Sequence, residues 1–150
     1  MRKKSFFIVQ ILILILFVSC GRDRNVLVDG YYTAEAAKFD SYGWKEYLVI
    51  CVSNGRIIFV EYNAFNPAGF IKSWDMDYMR RMNAVSGTYP NAYNRHYAGL
   101  FLENQDTKGI DALSGASDSY RVFIALANSV LAHARAGDKR TSLVNIGELH

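Results

Sequence analysis

Two periods of apolar residues divide the chain. Short runs of aromatic and β-branched residues come first and predict strands at Tyr31 to Ala37 (YYTAEAA), Trp44 to Val52 (WKEYLVICV) and Ile57 to Tyr62 (IIFVEY). Between the last two runs stands Ser53-Asn54-Gly55-Arg56. Asn-Gly tolerates the positive φ angles of a type I′ turn, so these runs form a β-hairpin. Asn66-Pro67-Ala68-Gly69 is loop chemistry. From Ser73 the apolar spacing becomes helical. A first helix would place Trp74, Tyr78, Met82 and Val85 on one face, carry Asp75 and Asp77 in its first turn, and stop at Gly87. Pro90 starts a second helix with Tyr93, Tyr97, Leu100 and Phe101 on one side. After a polar loop, Asn104 to Gly109, a third helix carries Val122, Phe123, Leu126, Val130 and Leu131 and ends near Gly137. Stripes of this kind read as core rather than as a cofactor site. The tail from Asp138 to His150 gives no clear signal. The order β-β-β-α-α-loop-α predicts an α+β domain: a small twisted antiparallel sheet with a β-hairpin, packed by about three helices.

The N-terminus follows a different plan. MRKKSFFIVQILILILFVSCG has a basic start and an apolar run from Phe6 to Val18, broken once by Gln10. That is the layout of a secretory signal peptide, and it falls short of the roughly 20 apolar residues a membrane-spanning helix needs. It ends in FVSC, which resembles a bacterial lipobox with Phe17 where leucine is usual. The expected organisation is a lipoprotein signal peptide over residues 1–20, lipid attachment at Cys20, a tether over 21–28, and a domain over 29–150 with its core ending at about 137. Stable anchoring needs more than one acyl chain, which a lipoprotein cysteine usually carries. The protein would then sit on the extracytoplasmic side of a bacterial membrane.

Charge and cysteine content narrow the function classes. The net charge of +3 resides in Arg2, Lys3 and Lys4; from residue 21 onward basic and acidic residues balance at 14 each. The domain therefore lacks the basic surplus of a nucleic-acid surface. The only other cysteine, Cys51, lies in the apolar run YLVICV and reads as a small core residue. His96, His133 and His150 show no metal-ligand spacing. There is no Gly-x-Ser-x-Gly elbow with a histidine partner, as a serine hydrolase would need, and no Gly-Lys-Ser/Thr of a phosphate-binding loop.

One stretch carries candidate chemistry. In IDALSGASDS, residues 110–119, small residues precede the third helix, and Ser117, Asp118 and Ser119 are all good helix caps. A helix start leaves several N–H groups unpaired, with about half a positive charge, and so suits a phosphate. Gly115 and Ala116 would let a bulky group approach the backbone, beside the Ser117 hydroxyl. Taken alone, these residues describe an ordinary capped helix better than a phosphate site, because small residues before a capped helix are common.

The stretch Asp111-Ala112-Leu113-Ser114-Gly115-Ala116-Ser117 resembles the Asp-x-x-(Ser/Thr)-Gly-Ala-(Thr/Ser) motif of the FMN-binding domain family. That family includes the C subunit of sodium-translocating NADH:quinone oxidoreductase, matching subunits of related redox complexes, and flavin-carrying bacterial lipoproteins. Further resemblance lies in Asp29-Gly30-Tyr31-Tyr32, in Tyr42-Gly43-Trp44, in Asn54-Gly55-Arg56-Ile57, and in Lys72-Ser73 through Tyr78 and Met82, so that it covers roughly residues 29 to 137.

The resemblance implies FMN joined through its phosphate to the last hydroxyl of the motif, here Ser117, by a separate flavin transferase using FAD. The usual attached residue is threonine, so FMN held without a bond is the other form of the site. Asp111, Leu113, Ser114, Gly115, Ala116 and Ser117 are the implied cofactor residues. Asp111, anionic like the phosphate, would instead hydrogen-bond loop N–H groups. Trp44, Phe70, Trp74 and Tyr78 are candidates for the ring slot, each with an equal claim to core; Arg121, one turn after Ser117, is within reach of the phosphate but reads first as a solvated side chain. The implied function is an electron carrier, not an enzyme with its own substrate, exchanging electrons with a membrane redox complex or another acceptor. The alternative is a non-redox surface lipoprotein, a membrane antigen, that keeps the fold without flavin.

Overall fold

The structure, a computed structural model, describes residues 26–147. The signal peptide, Cys20 and the tether up to residue 25 lie outside the described residues, as does His150. Strands β1 (Gly30–Ala36), β2 (Lys45–Ser53) and β3 (Arg56–Phe65) form an antiparallel meander, with β2 in its centre. A fourth strand, β4 (Ser142–Val144), lies in the tail that gave no sequence signal. It pairs parallel to β1, giving the order β3-β2-β1-β4. The α+β architecture is the one expected, and its sheet is mixed at one edge.

The hairpin turn is built as its residues require. Asn54 and Gly55 have φ of 52° and 71°, and their N–H groups donate to the Asp29 carboxylate at 3.0 and 2.9 Å. Past the turn, a bulge opposite Cys51 and Val52 shifts the register, pairing Cys51 with Phe59 and Val52 with Ile57.

Helices cover one face of the sheet. Helix α1 spans Met76–Ser86, α2 spans Pro90–Asn104 and α3 spans Ser117–Ala136, after a 3-10 turn at Lys72–Trp74. Helix α2 packs on β3, and α3 packs across β1, β2 and β4. Tyr97, Phe101 and Phe123 are fully buried between them, with Tyr97 and Phe123 stacked at 5.3 Å. The apolar residues expected on α3, Val122, Phe123, Leu126, Val130 and Leu131, are all buried. On the same inner face Tyr32, Leu48, Ile50 and Tyr62 point from the strands into this core.

Three expectations are corrected. The first helix begins at Met76, not Ser73, because the Asp75 side chain accepts the Tyr78 N–H at 2.9 Å and caps it there. Its expected face is core only in part: Met82 packs against the core, but Trp74 precedes the helix and is 68% exposed, and Val85 is 89% exposed. The physical reason is that α1 rests against the 3-10 turn rather than on the sheet. Lastly, packing starts before Asp29 and continues beyond residue 137. Leu27 is buried, the Val28 N–H donates to the Ala134 carbonyl at 2.9 Å, and Ile146 packs against the core. Among the described residues no helix is long and apolar enough to cross a membrane.

Candidate functional site

Helix α3 begins over a buried layer of tyrosines. Tyr97 donates its hydroxyl to the Ala116 carbonyl at 3.2 Å and accepts the Leu113 N–H at 3.0 Å. Tyr62 donates to the Ser119 carbonyl at 3.0 Å. These bonds fix the loop and the first turn of the helix from below. They pull Ala116 into the core and make it the N-cap, with no side-chain cap bond. Ser117, Asp118 and Ser119, each expected as a possible cap, all fall inside the first turn. The first N–H groups of α3 are therefore left without a side-chain acceptor, the condition that suits a bound anion.

Gly115 has φ of 79°, and a Cβ placed there would lie 2.1 Å from the carbonyl oxygen of Ser86 at the end of α1. The glycine is required by this backbone contact. The free approach expected at Gly115 is thus taken up, on its Cβ side, by the protein itself.

Beyond this contact lies a cleft of about 940 Å³. The motif supplies one wall through Gly115, Ala116 and Ser117, and α1 supplies another through Tyr78, Met82 and Val85. The exposure of Val85 is explained by this position. The loop after β1 closes a third side with Phe39, Tyr42 and Trp44. That loop is held by Asp40, whose carboxylate accepts the N–H groups of Tyr42 and Trp44, both at 2.8 Å.

Six charged residues line the cleft, Lys38, Asp40, Glu46, Lys72, Arg81 and Asp118, and two of them, Lys72 and Glu46, face each other in its wall largely buried. Lys72 is only 6% exposed. Its ammonium lies 5.9 Å from the Trp44 ring centre and 5.4 Å from that of Tyr78, a cation–π arrangement, and 3.9 Å from Glu46. Burial pushes the Glu46 carboxyl up to about 7, against the opposing pull of Lys72, with Asp40 raising it further. Near neutral pH this carboxyl gains and loses a proton within the cleft.

Over 111 residues the chain is 35% identical to the 15 kDa lipoprotein of Treponema pallidum (strain Nichols), a match spanning 74% of this chain and 79% of that protein. The chain belongs to the family of this 15 kDa lipoprotein. Its fold is also that of a solved structure, the CPE2226 protein of Clostridium perfringens, at 39% identity and a TM-score of 0.76, covering 79% of this chain and 98% of that one. A solution structure from Clostridium thermocellum is similar at 29% identity and a TM-score of 0.50, over 71% of this chain and 91% of that one. No protein-family model matches the chain.

In this 15 kDa lipoprotein family member the expected site residues divide. Gly115, Ala116 and Ser117 line the cleft, and Ser117 is exposed to it. Leu113 packs against the core, and Asp111 and Ser114 are exposed outside the cleft. The expected bonds from Asp111 to loop N–H groups are not formed among the described residues; the Tyr97 hydroxyl does that work at Leu113. Of the ring candidates, Trp44 and Tyr78 line the cleft, whereas Phe70 and Trp74 do not. Arg121 is paired with Asp118, its neighbour three residues back, in the same helix. Sequence reading missed Lys72 and Glu46 as site residues. A charged residue inside the otherwise apolar inner face of β2, between Trp44 and Leu48, was the available signal for Glu46.

Proposed function

We propose that the chain is a lipid-anchored, extracytoplasmic FMN-binding electron carrier, with the flavin held in the cleft and joined through its phosphate to Ser117. The observation that carries this reading is one of juxtaposition. An uncapped helix start bearing an exposed hydroxyl opens into the same cleft as an aromatic wall with a buried ammonium. A flavin needs both: an anion site for its phosphate and a flat, mostly apolar slot for its ring. At about 940 Å³ the cleft falls within the range of small-molecule sites.

Each residue then has a stated role. Ser117 Oγ would hold FMN as a phosphodiester, a bond that a flavin transferase would form from FAD with AMP as the leaving group and the hydroxyl proton passing to the transferase or to water. Its one negative charge would be stabilised by the start of α3 by roughly 0.3–2 kcal/mol. Trp44 and Tyr78 present their rings to the slot, and Lys72 sets a positive charge behind them. Glu46 holds or releases a proton at its carboxyl as the charge in the slot changes. The flavin itself supplies the redox chemistry, accepting and returning electrons. The electrons would be exchanged with a membrane redox complex or another acceptor. Cys20 is the lipid site, a reading supported by the FVSC sequence and by a relative named as a lipoprotein.

A flavin-free surface lipoprotein is the second reading. The contact between Gly115 and Ser86 favours it, because that contact needs the glycine whatever the cleft holds. One experiment separates the two. The full chain is co-expressed with a flavin transferase, denatured, and examined for flavin fluorescence on a gel and for the matching mass gain; Ser117→Ala should lose both. A colourless product without mass gain, and no uptake of free FMN by the native protein, would sink the flavin reading.

A further inference from the structure

We infer that the hairpin end of the sheet is a membrane-contact surface, resting on the bilayer that holds the lipid anchor while the cleft is carried at the opposite end of the domain. The inference rests on the reading that Cys20 carries lipid. Its structural basis is the outer face of the sheet, which the helices leave uncovered. On that face Tyr31, Cys51 and Phe59 stand in one row across β1, β2 and β3. Tyr31 is 67% exposed and Phe59 47%; Ile58, pushed out by the bulge beside them, is 58% exposed. An exposed apolar cluster of this kind on a soluble face marks an interaction site.

The chain path selects the bilayer as its occupant. Val26, itself exposed, lies against the hairpin turn at Gly55. Five residues separate it from Cys20, and the six Cα–Cα steps span at most about 21 Å when fully extended. A lipid at Cys20 therefore keeps the hairpin end within reach of the headgroups. Tyrosine suits that depth, with an apolar ring and a polar tip. Arg56 is exposed on the hairpin and Lys139 lies beside Gly30, both suited to anionic headgroups. Of the acidic residues at this end, Asp29 has its carboxylate occupied by the hairpin N–H groups and Asp138 is paired with Arg140.

The same path orients the cleft. Helix α3 starts at the cleft with Ser117 and ends beside Val28 with Ala134 and Gly137. Its 20 residues span about 30 Å at 1.5 Å each. Strand β2 also runs from the cleft end at Lys45 to the hairpin at Ser53. The cleft thus faces away from the anchoring membrane, toward a partner standing clear of the lipid.

The test uses the lipidated full chain in vesicles of phosphatidylethanolamine and phosphatidylglycerol containing nitroxide-labelled lipid. A fluorophore is placed at Ile58→Cys or, in a second protein, at Ser41→Cys in the loop at the cleft. Shallow nitroxides should quench the label at 58 several-fold more than the label at 41. Adding Tyr31→Ser and Phe59→Ser should remove that difference, which guards against insertion driven by the fluorophore. Equal quenching at 58 and 41 in the lipidated protein overturns the inference and leaves the anchor intact. A mass showing no acyl chains on Cys20 overturns the lipoprotein reading and the inference with it.

Discussion

Gly115 and Gly69 form a matched pair for testing what the motif glycine does. Both have φ of 79°, but a Cβ on Gly69 would meet nothing within 4 Å, whereas one on Gly115 would lie 2.1 Å from the Ser86 carbonyl oxygen. Alanine at either site bears the left-handed backbone penalty of roughly 1–2 kcal/mol. At Gly115 the loop or the end of α1 must also separate by on the order of 1 Å, and forcing atoms into a packed site adds roughly 1–3 kcal/mol. Gly115→Ala should therefore destabilise by about 2–5 kcal/mol and Gly69→Ala by about 1–2 kcal/mol. For a domain of this size 1 kcal/mol moves the Tm by about 4 °C, so the expected drops are about 8–20 °C and about 4–8 °C. Paired urea and thermal unfolding, followed by far-UV circular dichroism, measure both. If Gly115→Ala is no less stable than Gly69→Ala, the backbone contact with Ser86 is not the reason for the glycine, and ligand approach regains that role.

Glu46 gives a pH test. Its folded carboxyl titrates at about 7 against an ordinary value of 4.5, so the folded protein holds a proton that the unfolded chain has already released. Stability should fall as pH rises across that window, by up to about 3 kcal/mol, and level off above it. Glu46→Gln should flatten this slope in urea titrations at pH values spanning the window; an unchanged slope refutes the assignment. Tyr97→Phe removes the hydroxyl that serves Leu113 and Ala116. It should cost about 1–3 kcal/mol and speed hydrogen exchange at the Leu113 amide, and unchanged protection there would show that another group holds the loop.

Local chemistry made part of this molecule readable from sequence. Asn54-Gly55 announces the hairpin because few residue pairs accept two positive φ angles. The cores of α2 and α3 are readable because those helices lie on the sheet, so helical period and burial coincide. Helix α1 breaks that link. It borders a cleft, so Val85 faces open space where periodicity alone predicts packing. Strand β4 has three residues and no pattern of its own; it is ordered by pairing with Ala34, Glu35 and Ala36, far away in sequence. Lys72 and Glu46 meet for a similar reason. The chain turns back after β3, where Phe65 bridges to Ile71, and this sets the 3-10 turn beside the start of β2.

The motif has the same double character. Its glycine meets Ser86 and its Ala116 is buried, so much of SGAS would be kept by packing alone. What packing does not explain is the other side of the cleft. A helix start that served only as structure could be covered by apolar side chains, with its first turn capped by Ser117 or Ser119. Instead the first turn is uncapped, the hydroxyl of Ser117 is exposed, and the facing wall buries an ammonium whose nearest carboxylate is 3.9 Å away and ready to take a proton near neutral pH. Burying such a charge is costly unless a partner meets it. An anionic, ring-bearing ligand would answer both the amides at the start of α3 and the ammonium of Lys72, and this is why the flavin reading rests on the whole cleft and not on the motif.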